Sequence, residues 1–258
     1  MDFNIVDYFA KRSATYNQAK WVEDEANLKF FLESLNSYSN EPLSILDLGA
    51  GTGALSKYIL NSRNAGDKIT ALDISEDMIT HINDQRIGTI VAPVENLPIS
   101  ASSYDAVVSR QCLHYSQNIE KAIAEVARVL KKDGIFILSQ FVPYDSDSKT
   151  FWVHMMKIRQ PLRKVFFTEK EWVASVCRYG FYLNRKEELS QRYSMWEWIQ
   201  LYFPNLSYNS QRQMLSRYLK LMKDAPKDFV DDYEITLTDE DLISTRKMCV
   251  LSFVYIGE

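Results

Sequence analysis

The sequence predicts a doubly wound α/β sheet, and three observations carry that prediction. Ser44-Ile45-Leu46 and Leu48 form a short apolar run bounded by turn residues, the pattern of a strand buried on both faces of a parallel sheet. The run breaks at Gly49, Gly51 and Gly53 and resumes from Ala54 with helix formers, giving the strand-turn-helix order of a βα unit. Further apolar runs at 68–74, 88–92, 103–109 and 135–138 are separated by polar turns and segments of helical period.

The glycine corner organises the chain. Its free N–H groups and the positive end of the following helix converge on the bend, which favours a polar or anionic ligand group. The spacing Gly49, Gly51, Ala54, with Asp73 about 20 residues further on, satisfies the dinucleotide fingerprint and admits a nicotinamide-dependent oxidoreductase. The fuller string, with Asp47 two residues before Gly49 and then Gly49-Ala50-Gly51-Thr52-Gly53, resembles the first motif of class I S-adenosylmethionine-dependent methyltransferases. That resemblance implies that Asp47, Gly49, Ala50, Gly51 and Gly53 hold the methionine half of the cofactor.

Composition narrows the class. A chain of 258 residues can be one generous domain or a core with a cap, and it is long enough for a substantial core. A net charge of −4 speaks against a dedicated nucleic-acid binder, and the run Arg159, Arg163, Lys164 reads as a solvated face. No stretch approaches the roughly 20 apolar residues of a membrane span, and Asp2, Asn4 and Asp7 interrupt any signal core. Cys112, Cys177 and Cys249 are odd in number and lack C-x-x-C pairing, so they read as reduced core thiols of a cytoplasmic protein.

Residues 1 to about 36 read as helical, a short segment at 7–11 and a longer one whose apolar stripe is Trp21, Leu28, Phe31, Leu32 and Leu35. Between them, Ala14-Thr15-Tyr16-Asn17 is similar to the family's A-x-x-Y-[DN] segment, which lies over the cofactor. Tyr16 and Arg12 are lid candidates on that resemblance, a helix-linking turn being the equal alternative. After a polar linker and the glycine corner, Lys68 to Ile74 makes the second strand, and Ser75 caps a helix with acids in its first turn. Asp73, at that strand's carboxyl end, offers two acceptor oxygens to the adjacent hydroxyls of a ribose. The string Asp73-Ile74-Ser75-Glu76-Asp77-Met78 resembles the family's D-x-S-x-x-M motif, in which the positions of Ile74 and Met78 flank adenine.

Gly88 to Ala92 is the third strand, and Pro93-Val94-Glu95-Asn96-Leu97-Pro98 resembles the family loop G-D-A-E-x-L-P with Pro93 in place of the aspartate that meets the adenine amino group. Adenine recognition then rests on the Val94 main chain, on apolar flanking by Ile74 and Val94, or on Glu95 reaching inward. The fourth strand ends at Ser109-Arg110, where the resemblance places a main-chain carbonyl against the cofactor's amino group. Leu113-His114-Tyr115 matches the family's L-H-[HYW]; His114 is either a base for a substrate proton or a hydrogen-bonded structural histidine. His81 and His154 carry no partner pattern, and no metal-ligand spacing is present, so no metal is expected.

Asn118 to Leu130 has clear helical spacing, Lys131 to Gly134 stops it, and Ile135 to Leu138 is the fifth strand. Aromatics crowd the chain from Phe141 onward. Thr168-Glu169-Lys170-Glu171 caps a helix running to Cys177, a sixth strand follows Gly180, and Lys247 to Ile256 supplies the last. The resemblance covers roughly residues 12–185 and the final strand. It implies a Rossmann-like class I methyltransferase sheet, doubly wound, with an antiparallel last strand and a helical cap insertion. The expected division is 1–36 as an N-terminal helical lid, 37–193 with 239–258 as the cofactor-binding core, and 194–238 as the cap.

The resemblance also implies the chemistry, with S-adenosyl-L-methionine as cofactor and S-adenosyl-L-homocysteine as product. Members act on quinone precursors, carboxylates, natural-product scaffolds and the precursors of biotin. The expected activity is methyl transfer to oxygen, nitrogen or carbon of a small, apolar or aromatic metabolite, with aromatic rings of the cap able to wrap an apolar or cationic acceptor. The alternative is a catalytically silent S-adenosylmethionine-binding sensor or partner subunit. Aromatics near Trp196 suit a dimer contact as well as a substrate roof, so the oligomeric state is not read from the sequence.

Overall fold

The computed structural model describes residues 4–19, 22–63 and 65–257. Its centre is one sheet built from β1 (Ser44–Leu48), β2 (Lys68–Asp73), β3 (Ile87–Val91), β4 (Tyr104–Arg110), β5 (Leu130–Phe141), β6 (Phe181–Ser194), β7 (Thr236–Leu237) and β8 (Leu242–Tyr255). The main path runs β3-β2-β1-β4-β5-β8-β6, with β7 paired to β8. β1 to β5 are parallel, and β8 runs antiparallel between β5 and β6. The strand order reverses between β1 and β4, so their carboxyl ends open a crevice, the place where doubly wound sheets bind ligands.

Helices cover both faces. α1 (Ile5–Ala10) precedes a 3-10 turn at Ser13–Gln18, and α2 (Glu25–Tyr38) and α3 (Ala54–Ser62) follow. Leu28, Phe31 and Leu35 of α2 and Leu55 and Ile59 of α3 pack with Ile45, Ile69 and Val108 on one face. α4 (Glu76–Ile79) is a single turn; α5 (Ile119–Val129) and α7 (Glu169–Cys177), which flank α6 (Lys149–Arg159), bury Ile123, Val126, Trp172 and Val176 on the other face. The capping box at Thr168 and Glu171 starts α7, each side chain taking the other's backbone N–H. A buried ion pair, Arg63 Nε to Asp67 Oδ2 at 2.8 Å, ties the end of α3 to the sheet edge, because Asp67 Oδ1 also accepts from Leu43 N and Arg63 donates to the carbonyls of Ser39 and Glu41.

β6 and β8 are longer than the strands beside them. β5 pairs with β8 only from Met248 to Val254, whereas β6 stays paired down to Ile243, so the two project as an arm beyond the sheet. The arm carries α8 (Met195–Tyr202), α9 (Tyr208–Lys223) and α10 (Lys227–Asp232), whose buried faces form a third cluster around Trp198, Leu215, Tyr218 and Phe229.

Three features depart from the sequence reading. α2 packs into the sheet's core, and the part of the N-terminus that borders the crevice is α1 with the following turn; Trp21 lies outside the described residues. The cap cluster also takes Trp152, Met155 and Met156 from α6, and β8 begins at Leu242. Arg159 and Arg163 are buried at 1% and 3% exposure, and of that basic run Lys164 alone is exposed. Arg163 donates to the carbonyls of Val165 and Phe141, while Arg159 stacks over the rings of Tyr193 and Trp198 at 4.5 and 4.6 Å. Rings from 30 to 40 residues downstream cover Arg159, and Trp152 and Phe166 cover Arg163, which the basic run itself could not announce. Cys249 is buried, and Cys112 and Cys177 are half-buried. Among the described residues no helix is long and apolar enough to cross a membrane.

Candidate active site

A cleft enclosing about 670 Å³, open solvent included, lies at the carboxyl ends of β1, β2 and β4. The glycine turn forms its floor. Gly49 has φ +75°, and a Cβ there would lie 2.0 Å from Cys112 Sγ, so the residue accommodates the chain after β4. Gly51, at φ +56°, faces the cleft; an added Cβ would meet Met78 Cε at 3.4 Å and the Tyr16 ring at 3.6 Å. Gly53 starts α3 in a left-handed conformation and contacts Ile82 from outside the cleft.

Asp73 joins the turn to the cleft. Its Oδ2 accepts from Gly51 N and its Oδ1 from Ser75 N, both at 2.9 Å, leaving each oxygen a further lone pair. Burial raises its pKa against the opposing effect of those backbone donors. Ile74, Met78, Val94 and Glu95 line the same cleft with Asp73. Glu95 Oε1 is engaged by Ser116 Oγ at 2.5 Å and Gln117 N at 2.8 Å, so it braces the loop before α5. Pro93 is exposed and outside the lining.

A smaller recess of about 280 Å³ lies behind the turn, lined by Tyr16, Asp47, Gly49, Ala50, Thr52 and Arg110 among others. Asp47 is 1% exposed and accepts from Ser56 Oγ at 2.6 Å. Desolvation pushes its pKa up to about 6 in spite of that hydrogen bond and the nearby Arg110 charge, a penalty of roughly 3 kcal/mol on the charged form. An ammonium group in this recess would relieve that penalty. Ser109 is fully buried and donates its hydroxyl to Leu48 O, and it lines none of these cavities; Arg110 is the residue of that pair on the recess.

The third cavity, about 350 Å³, lies beneath the cap and is bordered by Phe9, Arg12, Tyr16, Gln111, His114, Tyr115, Phe141, Arg159, Gln160, Tyr202 and Arg246. Phe9, Tyr16, Gln111 and Tyr115 also border the cleft, and Tyr16 borders the recess as well, so one ring stands at the junction of all three. Thr52 Oγ1 donates to Asn17 Oδ1 at 2.5 Å and so fixes the Tyr16 turn on the glycine corner. Gln111 sits at φ +55°, uncommon for a non-glycine residue; its Oε1 accepts from Phe141 N and its backbone N donates to Ser139 O.

His114 is 2% exposed, with Nδ1 2.6 Å from Gln140 Oε1, while Nε2 has no partner among the described residues. With that amide oxygen as acceptor, Nδ1 bears the proton and Nε2 keeps its lone pair. Burial, reinforced by the Arg163 charge, holds its pKa well below the ordinary value, so the ring is neutral near pH 7. Tyr16 and Tyr115 have pKa values raised by burial and remain phenols. Burial likewise raises the Cys112 thiol, which argues against a nucleophilic role.

Sequence reasoning missed Gln111, Thr52, Tyr115 and the cap residues Arg159, Tyr202 and Arg246. Gln111 carries no motif, and the cap residues are assembled by packing. Among the described residues the chamber's lining has three arginines and no carboxylate, a charge that opposes a cation there. Stacking on aromatic faces returns about 0.5–2 kcal/mol to such cations, against several kcal/mol for burying each.

A methyltransferase-domain family matches residues 46–138, the span from β1 through most of β5. A malonyl-[acyl-carrier protein] O-methyltransferase of Geobacter sulfurreducens is 30% identical over 188 residues, 67% of this chain and 68% of that protein. YcgJ of Bacillus subtilis, an uncharacterized methyltransferase, is 25% identical over 195 residues, 73% of this chain and 76% of its own length. The crystal structure of YcgJ superposes with a TM-score of 0.74 over 90% of this chain and 99% of that one, a likeness of fold at 20% identity. The nicotinamide reading accounts for the glycine turn and Asp73 but for none of these likenesses. On these matches and this sheet order, the chain belongs to the class I S-adenosylmethionine-dependent methyltransferases.

Proposed function

We propose that the cleft and recess hold S-adenosylmethionine and that the chamber beneath the cap holds a small acceptor with an aromatic or apolar body. The observation that carries this reading is that Tyr16 borders all three cavities, with Asp47 lining the recess and Asp73 the cleft. In this arrangement the ribose hydroxyls donate to the free lone pairs of Asp73. The adenine lies between Ile74, Met78 and Val94, with the Val94 main chain and Glu95 nearby. The Asp47 carboxylate and the Arg110 carbonyl face the methionine ammonium, with Gly49, Ala50 and Gly51 as floor. Gly53 and Ser109 act by shaping the turn and the strand.

When bound, the cofactor supplies an activated methyl on a sulfonium, and the protein is left to position the acceptor, exclude water and move any proton. Phe9, Tyr16 and Tyr115 close the junction with aromatic faces. His114 Nε2, neutral and unpartnered, is placed to receive a proton from an oxygen, nitrogen or acidic carbon nucleophile, and Gln140 fixes the tautomer that allows it. Incubating the protein with methyl-labelled S-adenosylmethionine and a pool of small aromatic and aliphatic acceptors tests the reading. Label should pass to an acceptor in wild type and not in a variant with the cleft blocked; labelled protein or nucleic acid in place of a small molecule would overturn it.

A further inference from the structure

Buried donor atoms without partners gather in and around the chamber beneath the cap. Arg159 Nε and Nη1, Arg246 Nε, Trp198 Nε1 and Tyr218 Oη are all buried without a hydrogen-bond partner among the described residues. They belong together. Arg159 and Arg246 each hold the guanidinium carbon 4.5 Å from the centre of the Tyr193 ring, Arg159 also lies over Trp198, and Arg12 stacks 3.8 Å over Tyr202. Arg246 Nη2 donates to Gln191 Oε1 and Arg12 bonds Tyr8, whereas ring faces take none of the in-plane N–H groups of Arg159, whose fork stays the most open. Arg159, Arg246 and Arg12 border the chamber, which shares Tyr16 with the cleft, and among the described residues no Asp or Glu lines it. Buried guanidiniums that repel one another, with unmet donors, persist where an anion completes them.

We propose that this chamber is an oxyanion site, and that the methyl acceptor carries a carboxylate or phosphate group that docks on Arg159, with Arg246 and Arg12 beside it. The inference deepens the reading above and rests on it for the word acceptor; the anion site itself does not. Arg159 then acts as a specificity residue, anchoring the acceptor so that the remainder of the molecule points past Tyr16 and Tyr115 toward the methyl. The arm of β6 and β8 contributes directly, since Tyr193 and Arg246 stand on it.

The test uses the full chain, with S-adenosylhomocysteine titrated separately as a control for the cofactor cleft. Benzoate, phenyl phosphate, benzyl alcohol and benzylamine serve as probes, each an aromatic body with a different head, read by calorimetry and by thermal melting. Benzoate or phenyl phosphate should bind wild type at least tenfold more tightly than benzyl alcohol, and benzylamine should not bind. Which of the two anions binds better separates a carboxylate acceptor from a phosphorylated one. Arg159→Gln should weaken the preferred anion at least tenfold, leave S-adenosylhomocysteine affinity within twofold, and shrink the rise in melting temperature that the anion gives wild type. Arg246→Gln, at a half-buried position, gives the same readings should Arg159→Gln fail to fold. Equal binding of neutral and anionic probes, or anion binding indifferent to both substitutions, would overturn the proposal. Anion binding without S-adenosylhomocysteine binding would keep the anion site and remove the methyltransferase reading beneath it.

Discussion

Asp73 Oδ2 accepts the backbone N–H of Gly51 at 2.9 Å, so the acid at the end of β2 holds the glycine turn that follows β1. One carboxylate thereby sets the turn and presents its remaining lone pairs to the cleft. Asp73→Ala should weaken S-adenosylhomocysteine binding by tenfold or more, about 1.4 kcal/mol or beyond, and lower the melting temperature because the Gly51 and Ser75 amides lose their acceptor. Asp73→Asn should recover part of the stability and less of the affinity. Calorimetry and thermal melting on the two variants separate the roles.

Asp47 predicts a pH dependence. Its folded pKa is raised to about 6 from 3.8, so the empty protein favours the protonated acid. This group's contribution to stability is greatest below pH 4 and is lost as pH rises through 6. A bound ammonium reverses the preference by requiring the carboxylate. S-adenosylhomocysteine affinity should therefore fall as pH drops from 7 to 5, by up to tenfold per unit below 6, and Asp47→Asn should be weak and nearly flat across that range. Titrations at half-unit steps measure it.

Much of this cleft was legible before the fold. Buried parallel strands write continuous apolar runs, and the Asp47, glycine and Asp73 spacing survives in sequence because one strand, one turn and the next strand tip create it. The chamber was not legible. Arg159 closes α6, Tyr193 is the penultimate residue of β6 and Arg246 lies in β8, so their meeting depends on a long arm whose register no local pattern records. Arginine is mostly exposed in proteins, and the rings of Tyr193 and Trp198 reverse that for Arg159. Ser109 stands at the strand end that the motif marks, its hydroxyl donating to Leu48 O, and its neighbour Arg110 lines the recess.

His114→Ala should lower kcat by 10²- to 10⁴-fold for an acceptor that must lose a proton, with S-adenosylhomocysteine affinity unchanged. For an acceptor already deprotonated at neutral pH, such as a carboxylate nucleophile, the same substitution should cost under tenfold. Because burial keeps this histidine neutral, wild-type kcat should show no rise with an apparent pKa near 6.5. Steady-state rates across pH 5.5 to 8.5 provide the check.

Asp67→Ala should cost 3–5 kcal/mol of stability, since it strands the buried Arg63 guanidinium and the Leu43 amide, while cofactor affinity at the far end of the strands is spared. Urea unfolding with and without S-adenosylhomocysteine reads both quantities.

The most direct test of the cofactor site is calorimetric titration of S-adenosylhomocysteine into wild type and Gly51→Ala. The substituted methyl enters the cleft between Met78 and Tyr16 without a hard clash, and the left-handed backbone costs about 1–2 kcal/mol, so the protein should stay folded. Saturable one-to-one binding to wild type, weakened tenfold or more in Gly51→Ala, is the result predicted here. Failure of wild type to bind, or equal binding to both proteins, would contradict it.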